Sequence, residues 1–356
     1  MKRVISILLL VGFLISLCAC TSSSDTNSTP GVDGSSADFP VIRLAYIPSS
    51  GHIFHFISED MGFYEEEGII VESVPINVMN DAFAALTSNQ VDVLSTYGTS
   101  GPLQRIGSGI DLTIFGGYML TGAMPIAARP GTEFTGVESL VGKKVGSTIV
   151  NYAVSWPLFE AGYDPHTDVE WVIFNSNMER LEALRAGEID FGVISTGHEI
   201  IIAQMGLEVV GFTDDLFPDY SCCRIQSNTA WLNDNPDAVS ALLRSWIRAQ
   251  QIYESDIDYA VSLMARRIDV TEETARSFLA SPHLRLSMDP FKDIVFRVWD
   301  ICIELGLFDV QEGVNIANHV NTDLYKRALD ECVAKYGALD PAFYEKLLNS
   351  FAEFNT

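Results

Sequence analysis

The sequence is poor in basic residues. Its 356 residues include 22 lysines and arginines against 47 aspartates and glutamates, which gives a formal net charge of −25 at pH 7. Proteins that bind nucleic acid need a basic face to neutralise phosphate groups. The composition therefore argues against a nucleic-acid partner. It does not fix the charge of a small ligand, because the groups lining a site govern that choice.

The sequence also lacks the short motifs of common catalytic and metal sites. It has no Gly-x-Ser-x-Gly elbow and no phosphate-binding P-loop, and neither Cys-x-x-Cys nor His-x-x-x-His spacing occurs. These absences argue against hydrolases of the serine type, nucleotide-hydrolysing enzymes and structural zinc modules. We therefore expect neither a catalytic residue, nor a cofactor, nor a bound metal.

Cysteine is scarce, with six residues in the chain, two of them within the first 20 positions. Of the other four, Cys222 and Cys223 are adjacent. They form either a strained vicinal disulfide or two small buried thiols, and we favour the thiols. Cys302 and Cys332 fall on separate predicted helices and can pair only if those helices pack together, which the sequence does not determine.

Long apolar runs are confined to the N-terminus. A basic start, residues 1–3, precedes an apolar stretch at residues 4–17, which is shorter than the about 20 residues that cross a bilayer. This arrangement is typical of a secretory signal. The junction Leu17-Cys18-Ala19-Cys20 resembles a bacterial lipobox, which implies that residues 1–19 are removed and that Cys20 carries the lipid. The alternative is an ordinary secretory signal cut elsewhere.

Residues 20–38 are polar, rich in serine, threonine and glycine, and without the apolar content to fold. They are predicted to form a flexible tether between the lipid and a folded body. The sequence thus predicts a protein held by a lipid anchor at the extracytoplasmic face of the cell membrane.

Two stretches about a hundred residues apart repeat one pattern. Residues 83–93 and 181–191 each read as a helix, then a residue that tolerates positive φ (Asn89 or Gly187), then a short strand that carries an aspartate. The flanking segments agree in order: Val71-Glu72 with Val169-Glu170, and 109–112 with 206–209. The middle of the chain therefore contains two copies of one α/β unit, and two such lobes form a cleft suited to a small ligand.

The first copy alternates strands at 41–47, 69–75 and 91–95 with helices at 53–61 and 81–88. Such alternation predicts a parallel sheet flanked by helices. The second copy repeats it, with helices at 148–161 and 178–186 and strands at 171–174 and 190–194. Beyond a return strand at 221–227, the chain is predominantly helical. We predict lobe I at residues 39–125 plus 226–356 and lobe II at residues 126–225.

Several segments resemble the SsuA/THI5-like (NMT1-like) family of solute-binding proteins. The main one is Met61 to Glu72, with its Gly-aromatic-aromatic turn, a second glycine and a strand ending in glutamate. Four others occur in the family's order: 86–92, 140–146, 184–190 and Asn235-Pro236. The resemblance spans residues 41–279. It implies a type II periplasmic-binding-protein fold, a monomer whose two α/β lobes close on a small-molecule solute and pass it to an ABC permease in the membrane.

In this architecture the solute meets the C-terminal ends of strands and the N-termini of helices. The polar and aromatic residues at those places are our candidate ligand-binding residues. In lobe I they are Ser49, Ser50, His52, His55, Asn80, Tyr97, Thr99 and Tyr118. In lobe II they are Ser147, Thr148, Asn151, Tyr152, Asn175, Thr196 and His198.

The candidates leave two solute classes open. Free backbone N–H groups and hydroxyls suit a sulfonate, nitrate or phosphate, whereas Tyr97, Tyr118 and Tyr152 suit a planar ring. Few basic residues lie near these loops, and Arg129 and Arg224 are interpreted as hinge residues, which makes a neutral or aromatic solute at least as plausible. His52 and His55 are equally consistent with a structural role, in which they cap the helix that follows the first strand.

Asp92 and Asp190 are predicted to fix backbone turns rather than to contact the solute.

Three functional classes fit the sequence. An importer receptor is favoured. A pyrimidine-synthesis enzyme, which the THI5 branch of the resemblance implies, would need a cysteine-rich motif and a cleft lysine that this chain lacks. A receptor that presents its solute to a membrane kinase would use the same two lobes, and only its partners would distinguish it.

Overall fold

The computed structural model describes residues 39–47, 52–122, 124–218 and 220–355. Residues 1–38 lie outside these ranges, so the signal, the tether and Cys20 stay predictions, as do Ser49 and Ser50. The described strands are β1 Val41–Tyr46, β2 Ile70–Pro75, β3 Val93–Leu94, β4 Leu112–Gly122, β5 Pro125–Ala128, β6 Lys144–Ser147, β7 Glu170–Ile173, β8 Phe191–Val193, β9 Glu208–Phe212, β10 Cys223–Asn228 and β11 Leu284–Leu286.

The helices flank these strands and dominate the C-terminal third. They are α1 Ile53–Asp60, α2 Phe63–Glu66, α3 Met79–Thr87, α4 Ser100–Gly107, α5 Tyr152–Glu160, α6 Asn177–Ala186, α7 Glu199–Gln204, α8 Thr213–Leu216, α9 Thr229–Asp234, α10 Pro236–Ser255, α11 Ile257–Ile268, α12 Glu272–Leu279, α13 Lys292–Glu304, α14 Asp323–Tyr336 and α15 Pro341–Phe354. Short 3₁₀ turns occupy Val137–Leu140 and Ile316–His319. No described helix has the length and apolar character needed to span a membrane.

The strands form two sheets of the same design. The first has the order β11-β4-β10-β3-β1-β2 and the second the order β9-β5-β8-β6-β7. In each, a parallel triplet (β3-β1-β2 or β8-β6-β7) lies beside an antiparallel strand, β10 or β5. The two α/β lobes predicted from the internal repeat are therefore confirmed as sheets, whereas the residue limits given for the lobes stay a prediction.

The repeated aspartates perform the same task in both sheets. The Asp92 carboxylate accepts the backbone N–H of Arg43 at 2.8 Å, and the Asp190 carboxylate accepts that of Lys144 at 3.0 Å. Each bond fixes the central strand of a triplet to the turn before its neighbour. The helix ends also match, because Asn89 and Gly187 have positive φ angles of 56° and 78°. Both aspartates thus bind the backbone of a neighbouring strand, and their lack of contact with the solute stays a prediction.

Helix α10 anchors the larger core beside the first sheet. It places Trp246, which has no exposed surface, among α1, α11 and α14. The Trp246 indole N–H donates to the Tyr64 hydroxyl at 2.7 Å, and its ring meets Tyr118 edge-on at 5.6 Å. The apolar stripe of α10 is thus core, as its spacing predicts.

Some predicted boundaries differ from the structure. The helix predicted at 148–161 begins only at Tyr152, because the Asn151 side chain accepts the Ala153 N–H at 2.9 Å and caps it. The return strand begins at Cys223 rather than at 221. Cys302 and Cys332 are unpaired thiols that belong to different core clusters, so the pairing left open above does not form.

Candidate functional site

A small buried network joins the two lobes. Thr99 at the start of α4 and Tyr152 at the start of α5 both bind Ser221 in the segment that leads into β10. The Thr99 and Ser221 hydroxyls are 2.7 Å apart, and the Tyr152 hydroxyl donates to the Ser221 carbonyl. The Thr99 N–H also donates to the Cys222 carbonyl at 2.8 Å. The network therefore connects both helix starts to one strand that crosses between the lobes.

Arg224, the second residue of β10, lies fully buried next to this network. Its Nη1 donates to the carbonyl oxygens of Cys223 at 2.8 Å and Met119 at 3.4 Å. Within the described part of the chain, its Nε and Nη2 have no hydrogen-bond partner. Burial lowers the pKa of Arg224 to about 10, which still leaves the guanidinium charged at neutral pH.

The neighbouring carboxylate does not pair with this cation. Asp289 interacts favourably with the charge of Arg224, but its oxygens are occupied by other donors. The Asn355 amide and the Phe291 N–H donate to Oδ1 at 2.7 and 2.9 Å, and the Ser350 hydroxyl donates to Oδ2 at 3.0 Å. A buried charge is stable when its donors are satisfied. Arg224 thus has two donors available for an additional acceptor.

Gln226 is a second buried polar residue of β10. It is two residues beyond Arg224 on β10, so both side chains leave the strand on one face. Gln226 is fully buried, and neither its amide nitrogen nor its amide oxygen has a partner among the described residues. Native proteins leave few buried polar groups unpaired, so Arg224 and Gln226 are further candidates for contact with a polar solute.

A cleft opens between the lobes on the α4 side of this network. Its volume is about 420 Å³, and it is lined by α3, the start of α4, the loop at residues 148–150 and the loop at residues 306–308. Thr148 is the predicted site residue that lines it, and Ser100 at the first position of α4 faces it. Small-ligand pockets have volumes of about 300–1,000 Å³, so this space suits a small solute.

His52 and His55 occupy the start of α1, where both are fully buried. The His52 ring stacks on Tyr46 at 3.5 Å, and both of its nitrogens lack partners in the described structure. The Tyr64 hydroxyl lies 2.9 Å from His55 Nδ1 and accepts the Trp246 indole N–H at 2.7 Å, so the His55 ring belongs to a buried hydrogen-bond network. The Tyr118 hydroxyl accepts the His55 backbone N–H at 3.1 Å, which assigns Tyr118 to the same network.

His198 belongs to a second histidine network, in lobe II. Its Nδ1 lies 3.3 Å from the Thr196 carbonyl, so it carries the proton, and its Nε2 accepts from the Asn177 amide at 3.0 Å. The Asn177 oxygen in turn accepts the Ser195 N–H at 3.1 Å. Burial lowers the pKa of His198, which favours this neutral tautomer. Thr196 and His198 are thus brought together by the loop after β8.

The remaining predicted residues are spread along the helix starts. Tyr97 is fully buried, and its hydroxyl donates to the Ile76 carbonyl at 2.8 Å. Asn80 is exposed and accepts from Arg105 at 2.8 Å, whereas Asn175 is exposed on the loop after β7. Ser147 is buried at the end of β6. Their contact with a solute stays a prediction.

Because the two histidines at the start of α1 are buried, we expect the protein to lose stability in acid. Burial, reinforced by Arg267, lowers the pKa of His55 to about 3, and burial lowers that of His52 as well. In the unfolded chain both titrate near pH 6.5, so the unfolded state binds more protons below that pH. The free energy of unfolding should fall between about pH 6.5 and pH 3, by up to about 1.4 kcal/mol per pH unit for each histidine.

Urea unfolding at pH 7.5, 6.5 and 5.5 measures this slope. The His55→Gln variant keeps an acceptor for Tyr64 and should show a shallower dependence than the unmodified protein. An identical slope in both proteins would show that His55 does not remain neutral in the fold.

A model of the family described as NMT1/THI5 like matches residues 49–255, which is more than half of the chain. The chain belongs to the NMT1/THI5-like family. This confirms the resemblance inferred from the Met61 to Glu72 segment and the four motifs that accompany it. A comparison with curated proteins gives no match.

Solved structures share the fold of this NMT1/THI5-like protein. The aliphatic sulphonate binding protein SsuA of Escherichia coli is 18% identical, with 81% of this chain and 99% of that chain covered and a TM-score of 0.66. SsuA of Xanthomonas axonopodis pv. citri, bound to MOPS, is 16% identical, with coverages of 80% and 99% and a TM-score of 0.66.

The nitrate-binding protein NrtA of Synechocystis PCC 6803 is 16% identical, with coverages of 83% and 89% and a TM-score of 0.68. These neighbours are periplasmic binding proteins, so the type II periplasmic-binding-protein fold is confirmed.

Three residues of this NMT1/THI5-like protein's hinge were not predicted as site residues. Ser221 and Gln226 were placed only on the return strand, and Arg224 was interpreted as a hinge residue. The available signal was polarity: serine, arginine and glutamine are unusual in a strand that crosses a core. The sequence did not show that Nε and Nη2 of Arg224 lack hydrogen-bond partners among the described residues.

Proposed function

We propose that this protein is a lipid-anchored, extracytoplasmic receptor that captures a small anionic solute between its two lobes and delivers it to an ABC importer. The family and the fold support the importer role, and the lipobox at Cys20 supports the anchor. The proposal adds the sign of the solute's charge, which the sequence left open.

The observation that carries the proposal is the buried cation of Arg224. A guanidinium presents a planar set of donors that matches a carboxylate, sulfonate or nitrate group, and charge-assisted hydrogen bonds are about twice as strong as neutral ones. Two such donors of Arg224 have no partner in the part of the chain that the structure describes, and they lie next to the network that joins the lobes. Gln226 supplies a further donor on the same face. An anionic oxygen group satisfies these donors and favours the closed arrangement.

The site residues support binding without catalysis. The pKa of the Cys223 thiol is raised well above its usual range by its hydrogen bond with Cys222 and by burial. The sulfurs of Cys222 and Cys223 are 3.5 Å apart, which is too far for a disulfide bond. A thiol with a raised pKa is a poor nucleophile at neutral pH. The pair therefore packs the hinge, and we assign no chemical step to this protein.

A thermal-shift assay on the full-length protein in detergent tests the proposal. The panel contains methanesulfonate, taurine, nitrate and benzoate, together with a neutral pyrimidine, a flavin and an amine. A ligand at 100 times its dissociation constant stabilises the native state by about 2.7 kcal/mol, which raises the melting temperature measurably. We expect one of the anions to raise it.

Dimethyl sulfone provides a matched control, because it has nearly the shape of methanesulfonate without its charge. If methanesulfonate binds, the sulfone should give no shift at the same concentration. A shift from the neutral compounds alone would contradict the anionic solute and leave the receptor role intact. No shift from any compound, repeated with dialysed protein, would count against the receptor role itself.

A further inference from the structure

A cluster of potential metal ligands lies away from the solute cleft. Asp214 and Asp215 are on α8, directly after β9, and His283 precedes β11. One donor atom from each lies within 4.8 Å of the other two. His283 Nδ1 is 3.0 Å from both carboxylate oxygens of Asp214. His283 is 69 positions from Asp214 in sequence, so no short motif reveals the cluster.

The spacing of these atoms suits a metal ion as well as an ion pair. Zinc binds histidine nitrogen and carboxylate oxygen at about 2.0–2.2 Å, so neighbouring ligands in a tetrahedral shell lie about 3.3–3.6 Å apart. His283 Nδ1 and the Asp214 oxygens are 3.0 Å apart, so they need to separate by only a few tenths of an ångström to admit the ion. Asp215 is exposed, which leaves room for water to complete the shell. A metal ion would take the place of the proton between His283 and Asp214.

The surroundings hold the imidazole in place. The Phe212 ring stacks on His283 with centroids 3.7 Å apart and planes 15° apart, which fixes the plane of the ring. Asp215 is oriented too, because its carboxylate accepts the Phe212 backbone N–H at 2.8 Å. Ligands with few rotamers bind metal with a smaller entropic cost than mobile ones.

A further carboxylate lies within electrostatic range of the cluster. Glu199 begins α7, and its Oε2 is buried with no hydrogen-bond partner among the described residues. Burial raises the pKa of Glu199, and the positive charge of a protonated His283 opposes that rise. A divalent cation near His283 would favour the ionised form of Glu199 in the same way.

We propose that His283, Asp214 and Asp215 form a binding site for a divalent transition-metal ion of the zinc type. The site joins the segment that follows the last strand of the second sheet to the segment that precedes the edge strand β11 of the first sheet. A bound ion therefore ties the two lobes together at a point separate from Thr99, Tyr152 and Ser221. The bound ion stabilises the arrangement of the two lobes in which His283, Asp214 and Asp215 lie close together.

Isothermal titration of the full-length, chelator-treated protein with Zn²⁺ at pH 7.5 tests the site. We expect one zinc ion per chain. The His283→Gln variant should weaken binding at least about 100-fold, and the Asp215→Asn variant, which keeps an oxygen for the Phe212 N–H, at least about 10-fold. Co²⁺ in place of Zn²⁺ should give visible absorption bands that the His283→Gln variant lacks.

His319→Gln and Asp237→Asn serve as controls, because neither residue belongs to the cluster. Both should bind zinc like the unmodified protein. Urea unfolding of every variant without metal shows that each one is folded. If the unmodified protein binds no zinc up to millimolar concentration, or if both cluster variants bind it unchanged, the three residues form an ion pair only and the proposal is overturned.

Discussion

Replacing Arg224 with glutamine should weaken binding of the anion that gives the largest thermal shift by about 100-fold. The change removes the buried charge and two charge-assisted donors, a loss of about 3 kcal/mol at about 1.5 kcal/mol or more for each donor. Each 1.4 kcal/mol corresponds to a factor of ten in the dissociation constant. Isothermal titration calorimetry of the unmodified protein and of the Arg224→Gln variant with the same anion gives the ratio of their dissociation constants.

The fold should tolerate this substitution. Among the described residues Arg224 forms no salt bridge, and removing its buried charge relieves a desolvation cost that offsets the lost attraction to Asp289. Arg129→Gln provides a matched control, since Nη1 of Arg129 already donates to the carbonyls of Leu184 and Ile189 at 2.9 and 2.7 Å. That variant should bind the anion normally. Unchanged affinity in Arg224→Gln would show that Arg224 does not contact the solute.

The Gly117→Ala substitution should lower the free energy of unfolding by about 3 kcal/mol. A Cβ atom at Gly117 would lie 2.1 Å from the carbonyl oxygen of Asp289 and 2.6 Å from that of Ser287. Both are backbone atoms of a segment bonded to β4, because the Gly117 N–H donates to the Met288 carbonyl and the Ser287 N–H to the Tyr118 carbonyl, each at 3.0 Å. The segment can therefore move away only by breaking these bonds.

Gly116→Ala is the matched control, one residue earlier on the same strand. Its Cβ would meet the Ile225 Cδ1 atom at 3.1 Å, and the end of a side chain can rotate away. We expect a cost below about 1 kcal/mol for this variant. Urea unfolding followed by circular dichroism gives the free energy of unfolding of the Gly117→Ala and Gly116→Ala variants. Equal stabilities would mean that the 287–289 segment is not held against β4 in solution.

The repeated parts of the fold were predictable from local sequence. Asn89 and Gly187 mark helix ends because few other residues adopt positive φ, and Asp92 and Asp190 mark the turns that follow. These signals lie within a few residues of the structure that they specify. They were sufficient to predict two α/β lobes of one design, whereas the family was inferred from a resemblance that rests mainly on the Met61 to Glu72 segment.

The binding features were less predictable, because they depend on residues far apart in sequence. Thr99 and Ser221 are 122 positions apart, and Asp214 and His283 are 69 apart. Which polar groups remain unpaired is known only after every neighbour is placed, so Arg224 read as a hinge residue. The eleven-residue strand β4 was also missed, since its glycines weaken the strand signal.

The order of strands along the chain has a consequence for the order in which the two sheets form. All five strands of the second sheet lie in one continuous segment, from Pro125 to Phe212, whereas the first sheet takes its interior strand β10 from a point after that segment. A chain emerging N-terminus first therefore completes the second sheet while β3 and β4 still lack the strand between them. We therefore expect the second sheet to form first and the first sheet to be completed only after β10 has emerged.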